Sequence, residues 1–203
     1  MKIIATNRLH LNKIIKEEIE LNGYECDLNH IDVSRVGNFF RLFSDHDFAD
    51  DPYDEAEYDD FSNFNGDISH WDVSQITTME EMFYKSKFNG DISGWDVSKV
   101  ENMHSMFCDA DFNGEISGWN VSNVKDMGYM FCRNFTEPLF EGDLSDWKPY
   151  SLKNIDHAFE DAKCETPYWA LIRDNEERKK AIDAYHLSKE LIIHNGYEKK
   201  IKL

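Results

Sequence analysis

The chain has 203 residues, enough for one domain with appendages, and 41% of them are hydrophobic, close to the globular norm. It carries 22 Lys and Arg against 40 Asp and Glu, a formal net charge of −18. That excludes a generic nucleic-acid binder, which needs a basic footprint, and disfavours docking to anionic lipid headgroups.

The N-terminal stretch MKIIATNRLHLNKIIKEEIE has no apolar run of signal-peptide length, and nothing in the chain approaches the ~20 apolar residues of a membrane helix. The four cysteines form no C-x-x-C pair. The expectation is a reduced, cytoplasmic protein without membrane contact. Residues 7–22, NRLHLNKIIKEEIELN, place Leu11, Ile14, Ile15 and Ile19 on one helical face, and Gly23 suits the helix end. This predicts a helical N-terminal cap within residues 1–27.

Next comes a repeat. Residues 64–83 read FNGDISHWDVSQITTMEEMF, 88–107 read FNGDISGWDVSKVENMHSMF, and 112–131 read FNGEISGWNVSNVKDMGYMF. Trp71, Trp95 and Trp119 are thus 24 residues apart. A degraded copy follows at 140–159, with Trp147 displaced to a spacing of 28, and a partial copy precedes at 31–43, with Ile31 at the tryptophan position. A unit this small cannot bury its own apolar face, so neighbours must stack. Trp71, Trp95, Trp119 and Trp147 are expected in one core column, and Met79, Met103 and Met127 in another.

Within each module, Gly66, Gly90, Gly114 and Gly142 suit a turn with positive φ. D-I-S-x-W-D-V reads as a short strand. Ser34, Ser74, Ser98, Ser122 and Ser151 then read as N-caps of one or two helical turns. The fold class expected is an α+β repeat: a solenoid of about five modules over 28–165, with helical N- and C-terminal caps.

Between the first two modules, twenty residues (44–63) separate Phe43 from Phe64, where four (84–87) separate Phe83 from Phe88. The segment 44–62 holds nine carboxylates, no Lys or Arg, and the aromatics Phe48, Tyr53, Tyr58 and Phe61. Such a run is commonly a solvated loop, yet long loops in compact folds are often functional. At the other end, 166–203 reads as a C-terminal cap. Pro167 opens it, Trp169, Leu171 and Ile172 cover the last module, a charged helix spans 174–194, and Asn195-Gly196 closes it before a basic tail of Lys199, Lys200 and Lys202.

Chemistry-bearing constellations are weak. The F-N-G-D turn lacks the double-glycine calcium nonapeptide, and no EF-hand loop is present. Cys108 and Cys132 fall in one column, their α-carbons within disulfide reach, and stacked free thiols are expected there. The eight histidines are dispersed. No nucleophile stands beside a base, so neither catalytic residues nor cofactor or metal sites are expected.

The motifs F-N-G-D-I-S-x-W-D-V-S and M-x-x-M-F over 64–131, with C-D-L-N-H-I-D-V-S at 26–34, resemble the BspA-like leucine-rich-repeat family, in its Mycoplasma-lipoprotein-type branch. The resemblance covers residues 7–165. It implies a right-handed leucine-rich-repeat-like solenoid and a binding role, often as a surface adhesin or ligand, and brings no catalytic residues.

Charge location sharpens the functional expectation. Residues 21–172 hold 10 basic and 31 acidic residues, a net −21. Over about five rungs of ~5 Å this is about one charge per 1.2 Å, comparable with ~1.7 Å in duplex DNA. The expected function is a non-enzymatic interaction module for a basic protein surface. One version is a mobile-element inhibitor that mimics nucleic-acid charge before a nucleic-acid-binding host enzyme; the alternative is a surface or secreted ligand-binding protein. The expected binding residues are Asp50, Asp51, Tyr53, Asp54, Glu55, Glu57, Tyr58, Asp59 and Asp60 in the insert. The column Asp67, Asp91, Glu115 and Asp143 joins them.

Overall fold

A computed structural model describes residues 2–45, 60–133 and 139–201, without the side chains of 195–201. Strand β1 (Ile3–Ile4) leads into helix α1 (Arg8–Asn22). The Asn7 side chain caps α1 by accepting the His10 N–H, and Gly23, at φ 80°, donates its N–H to the Ile19 carbonyl. Leu11, Ile14 and Ile15 are buried in the common core. Strand β2 (Ile31–Asp32) lies parallel to β1, with Ile3 opposite Ile31.

From β2 onward, each module sits parallel to the next. Single bridges join Asn38 to Thr78, Thr78 to Asn102, Asn102 to Asp126, and Asp126 to Asn154. Equivalent backbone bonds repeat along the stack: Phe83 N–H to Met106 O at 3.0 Å, Phe107 N–H to Met130 O at 2.9 Å, and Phe131 N–H to Ala158 O at 2.8 Å. The five tryptophans, Trp71, Trp95, Trp119, Trp147 and Trp169, are all buried. Each indole N–H donates to a carbonyl of the preceding module, respectively Leu28, Ile68, Ile92, Ile116 and Leu144, at 2.9–3.2 Å. Met79, Met103 and Met127 are buried beside them. Phe43, Phe83, Phe107, Phe131 and Phe159 stack at 5.6–5.7 Å. A second file, Phe64, Phe88, Phe112 and Phe140, interlocks with the first at 4.2–4.7 Å.

The modules differ from expectation in three local respects. The serine-capped helical turns are absent from the described modules. The third residue of each M-x-x-M run, and of its counterpart I-D-H-A at 155–158, is left-handed instead: Glu81 (φ 53°), Ser105 (52°), Tyr129 (57°) and His157 (56°). Such a residue cannot sit inside a right-handed helix, and each costs roughly 1–2 kcal/mol, held in place by ladder bonds on both sides. Second, the expected strand through the tryptophan is replaced by consecutive turns. Third, Gly66, Gly90, Gly114 and Gly142 do not have positive φ; among the described glycines only Gly23 does. They are needed for close approach. A Cβ at Gly90 or Gly114 would lie 2.8 Å from the ring of Phe88 or Phe112, and one at Gly66 would collide with the Cys26 carbonyl.

At the C-terminal end, Pro167 introduces a 3-10 turn (Tyr168–Leu171) that swings Trp169 under Trp147, with ring centroids 6.3 Å apart. Leu171 is exposed rather than covering the last module. Helix α2 (Asn175–Ile201) continues through Asn195-Gly196, which was expected to end it. Arg178, at the start of α2, is buried and donates to the carbonyls of Trp169, Ile172 and Leu152.

Candidate functional site

One turn recurs down the stack and builds the most regular feature of the surface. A carboxylate accepts the backbone N–H two residues ahead of it: Asp27 from Asn29, Asp67 from Ser69, Asp91 from Ser93, Glu115 from Ser117 and Asp143 from Ser145, at 2.7–2.9 Å. Short acceptors that capture nearby N–H groups favour such turns over helix or strand. All five side chains are exposed. Asp27 was missed in the column, although C-D-L-N at 26–29 aligns with G-D-I-S.

The pattern recurs one turn later. Asp32, Asp72, Asp96 and Asn120 accept the N–H of Ser34, Ser74, Ser98 and Ser122 at 3.0–3.2 Å. Here the serines are donors inside a turn, not helix caps. D-V-S, read as a unit, would have signalled this. Asparagine at 120 shows that a neutral side chain supports the same geometry.

Hydrogen bonding favours the ionised form of Asp67, Asp91, Glu115 and Asp143. The backbone N–H of Ser93, then its side chain, hold Asp91 below the usual carboxylate range, while neighbouring Asp67 pushes it back up. Asp67 is held low first by the Ser69 N–H, and Asp143 by the Ser145 N–H. Glu115 is held low first by the Ser117 side chain, against an upward push from Asp143. The row therefore stacks like charges on adjacent modules.

Elsewhere the stack alternates sign. Arg41 pairs with Glu81 at 2.6 Å, Lys125 with Glu101 at 2.7 Å, and Lys87 with Asp111 at 3.3 Å, each across neighbouring modules. On that side His104, Tyr129 and His157 also form an aromatic file, at 5.7 and 4.8 Å.

Of the insert, Asp50, Asp51, Tyr53, Asp54, Glu55, Glu57, Tyr58 and Asp59 lie outside the described residues. Asp60 lies within them, exposed, with its carboxylate on the Ser62 N–H at 2.8 Å. Cys108 and Cys132 are not stacked free thiols: they form a disulfide, because successive modules place their α-carbons 4.7 Å apart. Cys26 and Cys164 are free and buried, and burial pushes the Cys164 thiol up to about 11. Among the described residues, no group of three or more His, Cys, Asp or Glu is placed to hold a metal ion. No helix there is long and apolar enough to cross a membrane.

The low carboxylate pKa values have a pH consequence. Each depressed group stabilises the fold above its ordinary value, 3.8 for Asp and 4.5 for Glu, and that contribution disappears as pH falls through the lower folded value. The melting temperature is expected to hold from neutrality to about pH 5 and to fall below about pH 4. A variant carrying Asp67→Asn, Asp91→Asn, Glu115→Gln and Asp143→Asn should lose part of that acid dependence. An unchanged acid limb would show that these turns do not contribute.

A protein family described as "Mycoplasma protein of unknown function, DUF285" matches residues 53–168. No curated protein and no solved structure matches the chain.

Proposed function

The chain belongs to the DUF285 family of Mycoplasma proteins, and from that premise we propose that it is a binding module rather than an enzyme. The module stack is read as a leucine-rich-repeat-like solenoid of the BspA-like, Mycoplasma-lipoprotein type. It has about five modules, with α1 and α2 as its caps. Its ligand is a basic protein surface. The observation that carries this reading is the row Asp27, Asp67, Asp91, Glu115 and Asp143: five exposed carboxylates, one per module, each fixed by a backbone N–H. Charges held in place at module spacing need little reordering on binding, and opposite charge on the partner relieves their mutual repulsion. The carboxylates and tyrosines of 50–60 supply the same chemistry in the sequence. A partner that ordinarily holds nucleic acid would meet a comparable charge density.

The test uses a nucleic-acid-binding protein with a basic groove, in low salt. The wild-type chain is expected to bind it and to be displaced by duplex DNA. Neutralising Asp67, Asp91, Glu115 and Asp143 with Asn or Gln should weaken binding at least tenfold, about 1.4 kcal/mol. A second set covers Asp50, Asp51, Asp54, Glu55, Glu57, Asp59 and Asp60 and separates the insert from the row. Unchanged affinity in both sets would end the charge-based reading.

The Cys108–Cys132 disulfide favours the second reading, a surface or secreted ligand-binding protein, because such bonds persist in oxidising compartments. Thiol counting on protein taken from its native cells under alkylating conditions decides between the two. Two reactive cysteines after unfolding favour the surface protein, and four favour the intracellular module.

A further inference from the structure

The dipeptide Asn-Gly occurs five times in the chain, at 22–23, 65–66, 89–90, 113–114 and 195–196. Asparagine is a thermolabile residue, and most so before glycine, whose missing Cβ leaves its backbone nitrogen unshielded toward the asparagine Cγ. In three of the five the stack holds both partners. Asn65, Asn89 and Asn113 each accept, through Oδ1, the backbone N–H of the same position in the next module, from Asn89, Asn113 and Glu141 at 2.8 Å. The glycines that follow them lie so close to phenylalanine rings that a Cβ at Gly66, Gly90 or Gly114 would stand 2.8 Å from a ring carbon. Neither group can turn toward the other without breaking a joint between modules.

Asn22-Gly23 is placed differently. It ends α1, where Gly23 adopts φ 80°, and both residues are exposed. A Cβ at Gly23 would meet nothing within 4 Å, so the space beside it is open. Two bonds restrain the pair: the Gly23 N–H donates to the Ile19 carbonyl at 2.8 Å, and the Asn22 Nδ2 donates to Glu18 Oε2 at 3.0 Å. Both lie in the last turn of a helix, the part that opens at least cost.

We propose that Asn22-Gly23 is a site of spontaneous deamidation, an age-dependent covalent modification, whereas the same dipeptide within the modules is protected by the stack. When the last turn frays, the Gly23 nitrogen loses its proton to hydroxide and attacks the Asn22 Cγ. The new N–Cγ bond closes a five-membered succinimide while the Cγ–Nδ2 bond breaks, and the leaving nitrogen takes a proton from water and departs as ammonia. Water then opens the ring at either carbonyl, to aspartate or isoaspartate at position 22. The net reaction consumes one water and releases one ammonia, with no oxidation.

Either product reverses a contact at the end of α1. The donor to Glu18 becomes a second carboxylate four residues along, where like charges destabilise a helix, and at the C-terminal end, where the helix dipole disfavours an anion. Glu18 is also the residue that joins α1 to the first module, through Oε1 and His30 Nε2 at 3.0 Å. Isoaspartate adds a backbone atom before Gly23, which then loses register with Ile19. The end of α1 is expected to loosen while Leu11, Ile14 and Ile15 keep the rest of the helix in the core. None of this rests on the binding function proposed above.

Prolonged warm incubation of the folded full chain at mildly alkaline pH, with peptide mapping by mass spectrometry at intervals, tests the site. Asn22 is expected to convert at least tenfold faster than Asn65, Asn89 or Asn113. In urea that preference should vanish, because unfolding removes what distinguishes the positions. Glu18→Ala, which frees the Asn22 side chain, should raise the Asn22 rate at least threefold and leave the module positions unchanged. Asn22→Asp should speed hydrogen exchange at 19–23 without speeding it in the modules. Asn22 converting no faster than the module asparagines in the folded chain would overturn the proposal. So would a preference for Asn22 that persists in urea, since it would then belong to the local sequence and not to the fold. Unchanged exchange at 19–23 in Asn22→Asp would overturn the loosening of α1.

Discussion

Replacing Trp95 with Ala is expected to cost about 3–5 kcal/mol of folding stability, the range for large buried aromatic side chains. Trp95 is 4% exposed and fills a column between modules that cannot close over the gap independently, because each is held in register by its neighbours' backbone bonds. The substitution also deprives the Ile68 carbonyl of its indole donor, which lies at 3.2 Å. Trp95→Phe separates the two effects: it keeps most of the ring and removes one of two donors to the Ile68 carbonyl, which still accepts the Trp71 N–H at 3.1 Å, for about 0.5–1.5 kcal/mol. Denaturant unfolding of both variants, with exposed His70→Ala as a near-neutral reference, measures the difference. A loss below about 1 kcal/mol for Trp95→Ala would be incompatible with a load shared through the column.

The second large effect is expected at the opposite end of the stack. Arg178 is 3% exposed. Its Nε reaches the carbonyls of Trp169 and Ile172, and its Nη1 reaches the Leu152 carbonyl and the Asn175 side chain, at 2.7–3.2 Å. These carbonyls face the end of the ladder, where no further module supplies N–H groups. Burial pushes the Arg178 pKa down, but the group remains a cation and a multiple donor. Arg178→Ala should cost about 3 kcal/mol, the upper range for losing hydrogen bonds to a charged donor and leaving buried carbonyls without it. Arg178→Lys should recover less than half, because one ammonium cannot span carbonyls spaced for a planar fork. For a chain of this size the alanine variant should melt about 10 °C lower. Hydrogen exchange should show the loss first at 169–172. Exchange accelerated uniformly along the stack, with no excess at this end, would contradict a local terminating role.

The period of the chain made much of the interior legible. Tryptophans and methionines recurring every 24 residues have to share environments, and the structure buries them together. Helix α1 was legible for a different reason: four apolar residues at helical spacing and a terminal glycine are purely local signals. What periodicity does not reveal is conformation inside the period. Ser74 can cap a helix or close a turn on Asp72, and only the left-handed residue at Glu81 decides it. Gly90 can answer a need for positive φ or for space, and the answer depends on where the Phe88 ring lies. Cys108 and Cys132 are legible as neighbours but not as a bond. Arg178 was invisible because nothing in a charged helical stretch marks which arginine turns inward. Of the candidate site, the Asp67 column was legible from alignment of the copies, while its turn geometry, and Asp27 as its first member, required the backbone.

Each tryptophan bonds to the module before it, and each phenylalanine pair repeats the same contacts, so the joint of 64–83 with 88–107 matches that of 88–107 with 112–131 in all but the Cys108–Cys132 bond. A duplication or deletion of one whole repeat would leave every remaining joint intact and would leave α1 and Arg178 at the two ends. The row of carboxylates would grow or shrink by one with it. Copy number alone can therefore tune the reach of the charged surface, with no new side-chain invention needed at any joint.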